Sequence, residues 1–363
     1  MPTVAAARLE EFVADIARAG GSAAEEAEKV GRQLVGANLR GHDSHGVVRT
    51  QRYCQWAQDG KVFFGKSPSV ALDGGAFVLL EGNLGFGQTA GIEAVRIGIE
   101  KARENGVSLI GLRNIGHLGR IGEWAERACD EGFVSIHFVN AYRSRLVAPF
   151  GGADRAMGTN PVAIGMPCEG GDFILDFATS TVAEGKVLVA QKGGKKLPAD
   201  ALVGPDGALS TEPGVLYGPV APGELPNPSK GPGAITAMGL HKGSGLSLAC
   251  ELLAGALTGS GPCGPGFDFH NGMLSIYVDP ARLDDGHGWA ASVKDYIDFV
   301  HACKPADPDA PVLIPGDPER QRAADRRANG LPLPGEAWES ILAAGENLGL
   351  DRDALAEAAL IAH

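Results

Sequence analysis

Residues 41–57, GHDSHGVVRTQRYCQWA, carry the densest group of side chains that could perform chemistry. If a helix begins near Ser44, then His45, Arg49 and Tyr53 are spaced i, i+4 and i+8 and share one helix face. An imidazole suits general acid–base chemistry near neutral pH, and a guanidinium fork suits a substrate carboxylate. Ser44 would either orient the imidazole or cap the helix. The same residues could also form an ordinary solvated helix face, and spacing alone leaves both interpretations open.

A metal site is a further interpretation of this segment. His42 and His45 flank Asp43, and such side chains can bind a metal ion. However, H-x-x-H is not the H-E-x-x-H helix motif, and no second group of ligand type follows nearby in the sequence. We therefore expect no metal, and a metal-dependent hydrolase stays a remote alternative.

His117 is the second candidate for acid–base chemistry. It lies in Asn114-Ile-Gly-His-Leu-Gly-Arg120, directly after an apolar run at 107–112 that predicts a strand. In open α/β sheets, ligands gather at the carboxyl ends of strands, and glycines allow close approach. His117 is therefore a candidate base, although a plain polar loop residue would look the same in sequence.

Short polar side chains also occur at other predicted junctions between strands and turns. They are Asn140, Thr159-Asn160 and Asp176-Phe177-Ala178. Such groups could bind a ribose, a carboxamide or a small substrate, and could equally be turn residues. Lys242, between His241 and Gly243 at a predicted helix start, would suit an anion.

The usual dinucleotide fingerprint is missing. Gly259-x-Gly261-x-x-Gly264 matches the pattern formally, but it follows a predicted helix and contains Pro262. The motif binds a pyrophosphate only between a strand and a helix. A dinucleotide, if one binds, is therefore held without that fingerprint.

The elements that must position these residues form an α/β chain with helical ends. Apolar runs predict strands at 76–80, 107–112, 133–139, 161–166, 172–177 and 272–278. Helical spacing predicts helices at 4–19, 22–40, 44–57, 88–104, 119–130, 180–191, 243–257, 291–302, 318–328, 335–347 and 351–361. Ser22 and Glu25 predict a capping box, and residues 193–235 predict a long irregular loop.

Composition excludes several classes of protein. The 363 residues carry a net charge of −12, which argues against nucleic acid or an anionic membrane as a partner. No apolar stretch is long enough for a membrane helix, and no secretion signal precedes the first helix. The six cysteines are far apart, without C-x-x-C. We expect a cytoplasmic globular enzyme.

Taken together, these motifs resemble the type-2 malate/L-lactate dehydrogenase family, also called sulfolactate-dehydrogenase-like. The motifs are SHG-x-x-R-x-x-x-Y, GH-x-G, FGG with GTNP, LDFATS, HKG-x-GL and VLIPGD, and they occur in this order over essentially the whole chain. The resemblance implies hydride transfer between NAD or NADP and a small 2-oxo, 2-hydroxy or cyclic imino acid. It also implies a non-Rossmann NAD(P)-binding fold, a helical subdomain formed by both termini, and a homodimer.

The resemblance also assigns roles to residues. His117, His45 and Ser44 would be catalytic, and we favour His117 as the base for a hydroxy acid. Substrate contacts would come from Arg49, Tyr53 and Thr159. Cofactor contacts would come from His117, Leu118, Gly119, Asn140, Asp176, Phe177, Ala178, Lys242, Gly243, Gly316 and Asp317.

Two departures from the family pattern bear on the substrate. Lys186 and Val187 follow Glu184-Gly185, where ketimine reductases place an aspartate. This departure weakens the assignment as a piperideine or pyrroline-2-carboxylate reductase, which stays the alternative to a hydroxy-acid dehydrogenase. The segment 142–145 and the extra length at 222–233 would reshape the substrate pocket. We expect three domains: residues 1–75 with 311–363 (helical), 76–125 with 270–310 (substrate side), and 126–269 (NAD(P) binding).

Overall fold

A computed structural model describes residues 2–191, 196–221, 226–264 and 269–359. Its helices are α1 (Ala6–Ala19), α2 (Ala24–Leu39), α3 (Thr50–Gln58), α4 (Gly87–Asn105), α5 (Gly122–Asp130), α6 (Glu184–Gln191), α7 (Gly214–Tyr217), α8 (His241–Cys250), α9 (Trp289–His301), α10 (Asp317–Asn329), α11 (Gly335–Glu346) and α12 (Arg352–Ala359). Its strands are β1 (Thr3–Val4), β2 (Ser69–Asp73), β3 (Phe77–Glu81), β4 (Val107–Ile115), β5 (Val134–Tyr142), β6 (Pro161–Met166), β7 (Phe173–Ala178), β8 (Leu202–Val203), β9 (Leu209–Ser210), β10 (Ala234–Ile235), β11 (His270–Val278) and β12 (Leu331–Pro332). Within these ranges, no helix is both long and apolar enough to cross a membrane.

A seven-stranded sheet organises the middle of the chain, in the order β2-β3-β4-β11-β5-β6-β7. Only β3 and β4 pair in parallel, through the crossover helix α4, and every other neighbouring pair is antiparallel. A Rossmann sheet is mostly parallel and binds its dinucleotide at a strand-to-helix turn. The antiparallel order therefore explains why no G-x-G-x-x-G motif stands at such a turn. The predicted mixed α/β, non-Rossmann fold is confirmed.

Helices α4 and α5 pack on one face of this sheet and bury its main core. The core includes Ile110, Leu112, Trp124 and Tyr277, all fully buried. Two glycines let α4 pack closely against α5 and β11. A Cβ on Gly91 would lie 2.4 Å from the Trp124 ring of α5, and one on Gly98 would lie 2.2 Å from the Tyr277 ring of β11.

The helices of the two termini form a second core. Leu9, Ile16 and Leu34 from the amino-terminal helices pack with Trp338 and Ile341 of α11. Strand β1 also pairs with β12, so the first and last parts of the chain are joined by backbone hydrogen bonds. The predicted helical subdomain built from both termini is confirmed.

The prediction of an irregular loop over 193–235 is wrong for most of the residues that the structure describes there. Strands β8, β9 and β10 form a small sheet, and Leu202, Leu216 and Tyr217 are buried in its core. The Arg155 guanidinium donates to the carbonyls of Leu216, Gly231 and Gly233 and thereby holds this region together. Two-residue strands between Gly and Pro turns are too short to produce a periodic pattern, which is why the sequence did not reveal them.

Smaller differences are local. Ser22 does not form a capping box with Glu25; its hydroxyl donates to Glu26, and Glu25 accepts from Lys29 instead. Strand β2 was not predicted, because all five of its residues are exposed at the sheet edge. The division into three domains stays a prediction, and its boundary at residues 125 and 126 lies within α5.

Candidate active site

One edge of the large sheet collects most of the predicted site residues. Strands β4, β5 and β7 end at this edge, and the antiparallel strands β6 and β11 begin there. His117, Asn140 and Asp176 belong to the ends of β4, β5 and β7, while Thr159 precedes β6. The pairing of the strands therefore brings together residues that lie far apart in sequence.

The prediction of one helix from Ser44 to Ala57 is wrong in its first half. Asp43–His45 and Val47–Arg49 form two separate 3-10 turns, and α3 begins at Thr50. Gly46 lies against the Asn38 side chain, where a Cβ would come within 2.1 Å of Oδ1, and Asn38 Oδ1 accepts from the Val47 amide at 2.8 Å. Ser44 therefore caps no helix. Its Oγ lies 3.0 Å from His45 Nδ1 and can orient that imidazole.

The two histidines meet across the site. The His45 and His117 rings are stacked, with their centroids 5.5 Å apart and an interplanar angle of 19°. Tyr53 Oη lies 2.7 Å from His117 Nδ1. Nδ1 of His45 contacts Ser44, and Nδ1 of His117 contacts Tyr53. Neither Nε2 has a hydrogen-bond partner in the described chain.

Burial keeps both imidazoles neutral. It lowers the pKa of His45 to about 3, and the positive charge of Arg49 lowers it further. The pKa of His117 also lies well below its ordinary value, again through burial and then the Arg49 charge. Burial raises the pKa of Tyr53 to about 12, so its phenol keeps its proton. At neutral pH the site thus presents proton acceptors rather than imidazolium ions.

Arg49 lies beside this pair with most of its donors available. Its Nε donates to the Ser44 carbonyl at 2.6 Å. Within the described chain, Nε is the one guanidinium nitrogen of Arg49 with a protein acceptor. The remaining guanidinium donors suit a carboxylate bound bidentately.

The start of α6 closes the other side of Ser44. A Cβ on Gly185 would lie 2.8 Å from Ser44 Cβ, so these residues are in contact. Lys186 is exposed, and the Glu184 carboxylate accepts from Tyr217 Oη at 2.6 Å. Among the described residues, no carboxylate contacts Ser44 Oγ. Tyr217 and Glu184 were missed by the sequence, since Tyr217 lies in the region predicted as an irregular loop.

A second polar cluster adjoins the histidines. The Arg120 side chain is almost completely buried, and its Nη2 lies 2.6 Å from Glu126. Its Nε and Nη1, and Asp176 Oδ2 at 3.8 Å from Nη1, are buried without hydrogen-bond partners in the described chain. Arg120 also contributes to the lowered pKa of His45. Buried unpaired donors and an acceptor cost free energy, so these atoms fit a polar ligand with both hydroxyl and anionic groups.

Comparison with known proteins decides the family. The family model described as malate/L-lactate dehydrogenase matches residues 4–342. The chain belongs to the malate/L-lactate dehydrogenase family. It is 35% identical to hydroxycarboxylate dehydrogenase B of Escherichia coli O157:H7 over 361 residues, which cover 96% of this chain and 94% of that protein.

Solved structures of family members have the same fold. An E. coli structure assigned to the malate/lactate dehydrogenases matches with a TM-score of 0.91 at 34% identity, covering 99% of this chain and 98% of that one. The structure of Δ1-piperideine-2-carboxylate reductase from Pseudomonas syringae pvar. tomato matches with a TM-score of 0.80 at 29% identity, covering 95% and 100%. Hydroxy-acid oxidoreductases and an imino-acid reductase thus share this architecture.

Four further residues with a predicted cofactor role lie at two strand ends. Leu118 and Gly119 lie in the turn after β4, where the Leu118 amide donates to Asn271 Oδ1 at 3.0 Å and Gly119 has a φ of 72°. Phe177 and Ala178 end β7 beside Asp176. Asn140 differs, because it is fully buried and its amide contacts Glu251, Gly261 and Gly272 within the fold. Its role in cofactor binding stays a prediction.

Glu251 organises the loop that carries Thr159. It is the first residue of the π-helical turn Glu251–Leu257, which continues α8, and it is buried. Its carboxylate accepts from Asn160 at 2.8 Å, from Asn140 at 3.1 Å and from the Gly158 amide at 3.3 Å. The Thr159 carbonyl in turn accepts from the Thr179 amide at 3.0 Å. Sequence reasoning missed Glu251, since a lone glutamate in an apolar helix gives no signal of its partners.

The last predicted residues lie around β7. Gly243 packs so closely on the Thr179 and Met238 carbonyls that a Cβ would not fit, whereas Lys242 next to it is exposed. The Pro315 carbonyl accepts from Ile174 near the start of β7, and Gly316 has a φ of 103°. Asp317 accepts from His301 at 2.8 Å and pairs with Arg320. These residues are close to β7, and their contact with a cofactor stays a prediction.

The histidines do not form a metal cluster in the described part of the chain. His42 faces Glu319 at 3.5 Å, and His45 faces Ser44 and His117. Among the described residues, the side chains whose ligand atoms are close enough to hold a metal ion are those of Asp284, Asp285 and His287. This group lies on the surface and is far in sequence from His42 and His45. The geometry does not support the metal-dependent hydrolase alternative.

Proposed function

We propose that this protein is an NAD(P)-dependent dehydrogenase that interconverts a small 2-hydroxy acid and its 2-oxo acid. The observation that carries the proposal is the pairing of His117 with Tyr53 at 2.7 Å, close to Arg49. This arrangement supplies an oriented neutral base next to a carboxylate-binding group. The family supports the same reaction class.

Arg49 fixes the substrate. Its free guanidinium donors bind the carboxylate, and this contact orients C2 and its hydroxyl toward the histidines. Tyr53, packed between Phe86 and Trp56, holds the base rather than the substrate in this arrangement. The Thr159 side chain would contribute a further substrate contact, as the family pattern implies.

His117 moves the proton. Its Nε2 takes the hydroxyl proton as the C2 hydride leaves, and returns it in the reverse direction. The lowered pKa keeps the imidazole neutral before the reaction, so one of its two ring nitrogens carries no proton. His45, stacked on the same ring and oriented by Ser44, adds a second neutral imidazole that limits water around the reacting atoms.

NAD or NADP would accept and donate the hydride at its nicotinamide ring. The residues that would hold it include Asp176, Phe177 and Ala178, together with Arg120 and the backbone of the 117–119 turn. Asp176 Oδ2 and the two Arg120 nitrogens that have no hydrogen-bond partner in the described chain fit the hydroxyl and anionic groups of such a cofactor. Lys242, Gly243, Gly316 and Asp317 would extend this surface.

A cyclic ketimine reductase is the second candidate. It is favoured by the structural match to piperideine-2-carboxylate reductase and by the preformed Ser44–His45 pair. One observation weighs against it: no carboxylate among the described residues contacts Ser44 Oγ.

We also propose that the protein is a cytoplasmic homodimer. Leu72, Phe77 and Leu109 are exposed on the same face of β2, β3 and β4, where Phe77 pairs with Leu109 and Leu72 pairs with Leu79. An apolar face of this kind suits a second copy of the chain. Light scattering would give twice the mass of one chain, and Leu109→Asp would reduce it; a monomeric wild type would contradict the proposal.

The function is tested by following absorbance at 340 nm with NADH or NADPH. The substrates are pyruvate, oxaloacetate, 2-oxoglutarate, sulfopyruvate, diketogulonate and piperideine-2-carboxylate, with malate, lactate and ureidoglycolate in the reverse direction. Turnover of an oxo or hydroxy acid supports the dehydrogenase. Turnover of the imine alone would transfer the assignment to the ketimine reductases, and failure to bind either dinucleotide would contradict both.

A further inference from the structure

Gln88 is buried directly behind the Tyr53–His117 pair. It is the second residue of α4 and is 1% exposed. Its Nε2 lies 2.9 Å from Tyr53 Oη, and its Oε1 is buried without a donor in the described chain. The start of α4 is pressed onto the 117–118 turn, because a Cβ on Gly87 would lie 2.2 Å from the His117 carbonyl.

The three side chains form one line of hydrogen bonds, Gln88–Tyr53–His117. The phenol has one proton, and the neutral imidazole has one. If Tyr53 donates to His117 Nδ1, the imidazole proton must be on Nε2 and faces outward. If His117 Nδ1–H donates to Tyr53, Nε2 carries a lone pair, and the phenol proton needs another acceptor.

Only the second arrangement gives a base. The Gln88 amide can serve either arrangement, since a half-turn about its last bond exchanges the Nε2 donor and the Oε1 acceptor at Tyr53. Its oxygen is the acceptor that this line of contacts offers to the phenol. The direction in which the Gln88 amide points therefore determines which nitrogen of His117 holds the proton.

We propose that Gln88 is a positioning residue that sets the tautomer of His117 through Tyr53. Gln88 Nε2 faces Tyr53 Oη in the structure, and the proposal turns this amide by half a turn. The Gln88 oxygen then accepts from the Tyr53 hydroxyl, Tyr53 accepts from His117 Nδ1–H, and Nε2 of His117 is left unprotonated toward the substrate. The inference rests on the proposed hydroxy-acid dehydrogenase for its catalytic consequence. The predicted tautomer of His117 is a property of the protein without ligands, so it can be measured without turnover.

Three variants isolate this effect. Gln88→Met keeps a similar size but has no acceptor for the phenol. Gln88→Glu keeps an acceptor oxygen. Gln33→Met is the matched control, because Gln33 is also buried and donates to the Gln88 carbonyl at 3.3 Å without touching Tyr53. Circular dichroism and the thermal midpoint of each variant establish that it is folded.

The first readout is the ¹⁵N shift pattern of His117 in histidine-labelled protein without ligands, assigned with His117→Asn. We expect wild type, Gln88→Glu and Gln33→Met to carry the proton on Nδ1, and Gln88→Met to move it to Nε2. An unchanged tautomer in Gln88→Met would overturn the proposal. So would a wild-type protein with its proton on Nε2.

The second readout is kinetic. We expect Gln88→Met to lower kcat about 10- to 100-fold, with KM and the dinucleotide Kd within about twofold, since one general base is lost from the correct tautomer. Gln88→Glu should retain kcat within about threefold. Equal losses in Gln88→Met and Gln33→Met would show a merely structural effect and refute the tautomer role. If the tautomer shifts as expected but no hydroxy acid is oxidised, the proposed function fails while the positioning role stands.

Discussion

The substrate side and the cofactor side of this site satisfy their polar groups differently. On the substrate side, Ser44, Tyr53 and Gln88 already hold the two histidines through contacts of 2.7–3.0 Å. On the cofactor side, buried atoms of Arg120 and Asp176 face each other at 3.8 Å and have no hydrogen-bond partner in the described chain. The protein thus builds its proton-transfer groups in advance and leaves the binding of a larger polar ligand incomplete.

The difference is instructive because both regions are buried. A general base must be oriented before the substrate arrives, and internal hydrogen bonds provide this orientation. Unpartnered buried groups are costly in the free protein, and the cost is recovered when a ligand pairs with them. Variants on the substrate side should therefore change turnover, and variants on the cofactor side should change binding.

The largest effect is expected at His117. His117→Asn should lower kcat for hydroxy-acid oxidation about 1000-fold, because general acid–base catalysis contributes roughly 10²–10⁴-fold. The measurement is steady-state kinetics with saturating dinucleotide. His287→Asn, which changes an exposed histidine, is the control and should leave kcat unchanged. Near-normal kcat in His117→Asn would assign the proton transfer to another group.

Arg49 should affect substrate binding more than the cofactor. Arg49→Gln should raise KM for the hydroxy acid about 30- to 100-fold, as hydrogen bonds to a charged group contribute about 1.5–3 kcal/mol. Arg49→Lys should recover part of this loss. Arg52→Gln, three residues away and exposed, is the matched control. An unchanged KM in Arg49→Gln would remove Arg49 from the substrate site.

Acid should destabilise the protein through its buried neutral histidines. Burial lowers the pKa of His137 to about 3, and both of its ring nitrogens are held, by Ser135 and Ser275. The unfolded chain binds a proton at each such histidine below about pH 6.5, whereas the folded chain does not until about pH 3. The free energy of unfolding should therefore fall as the pH drops through this window.

His137 allows this effect to be measured apart from the site. His137→Gln should remove about 2 kcal/mol of the difference in unfolding free energy between pH 6.5 and pH 4.5. Urea unfolding of wild type and His137→Gln at pH 6.5 and pH 4.5 measures this difference in unfolding free energy. The same comparison at pH 8, where the histidine is neutral in both states, measures the effect of the substitution on packing alone. Identical pH dependence in both proteins would show that His137 is not the titrating group.

The sequence predicted the positions of most helices and strands because long amphipathic and apolar runs dominate both the helical ends and the sheet. It could not predict that β11 lies between β4 and β5, since strand order depends on pairing across more than 100 residues. The small sheet within 193–235 was missed because its strands are two residues long.

The site shows the same limits. His45, Arg49 and Tyr53 were selected for sharing one helix face, yet the chain folds as two 3-10 turns before α3. They still adjoin His117, because tertiary contacts such as Asn38 to Val47 place them there. Gln88 and Arg120 gave no signal of their own, since the significance of each depends on partners brought together only by folding.

The most direct test compares dinucleotide binding in wild type, His117→Asn and Asp176→Asn by isothermal titration with NADH and NADPH. We predict that His117→Asn binds the preferred dinucleotide within about twofold of wild type, and that Asp176→Asn binds it about 10-fold more weakly or worse, as loss of a buried charged acceptor costs about 1.5–3 kcal/mol. Weak binding by His117→Asn together with wild-type binding by Asp176→Asn would contradict the division of the site into a proton-transfer side and a cofactor side.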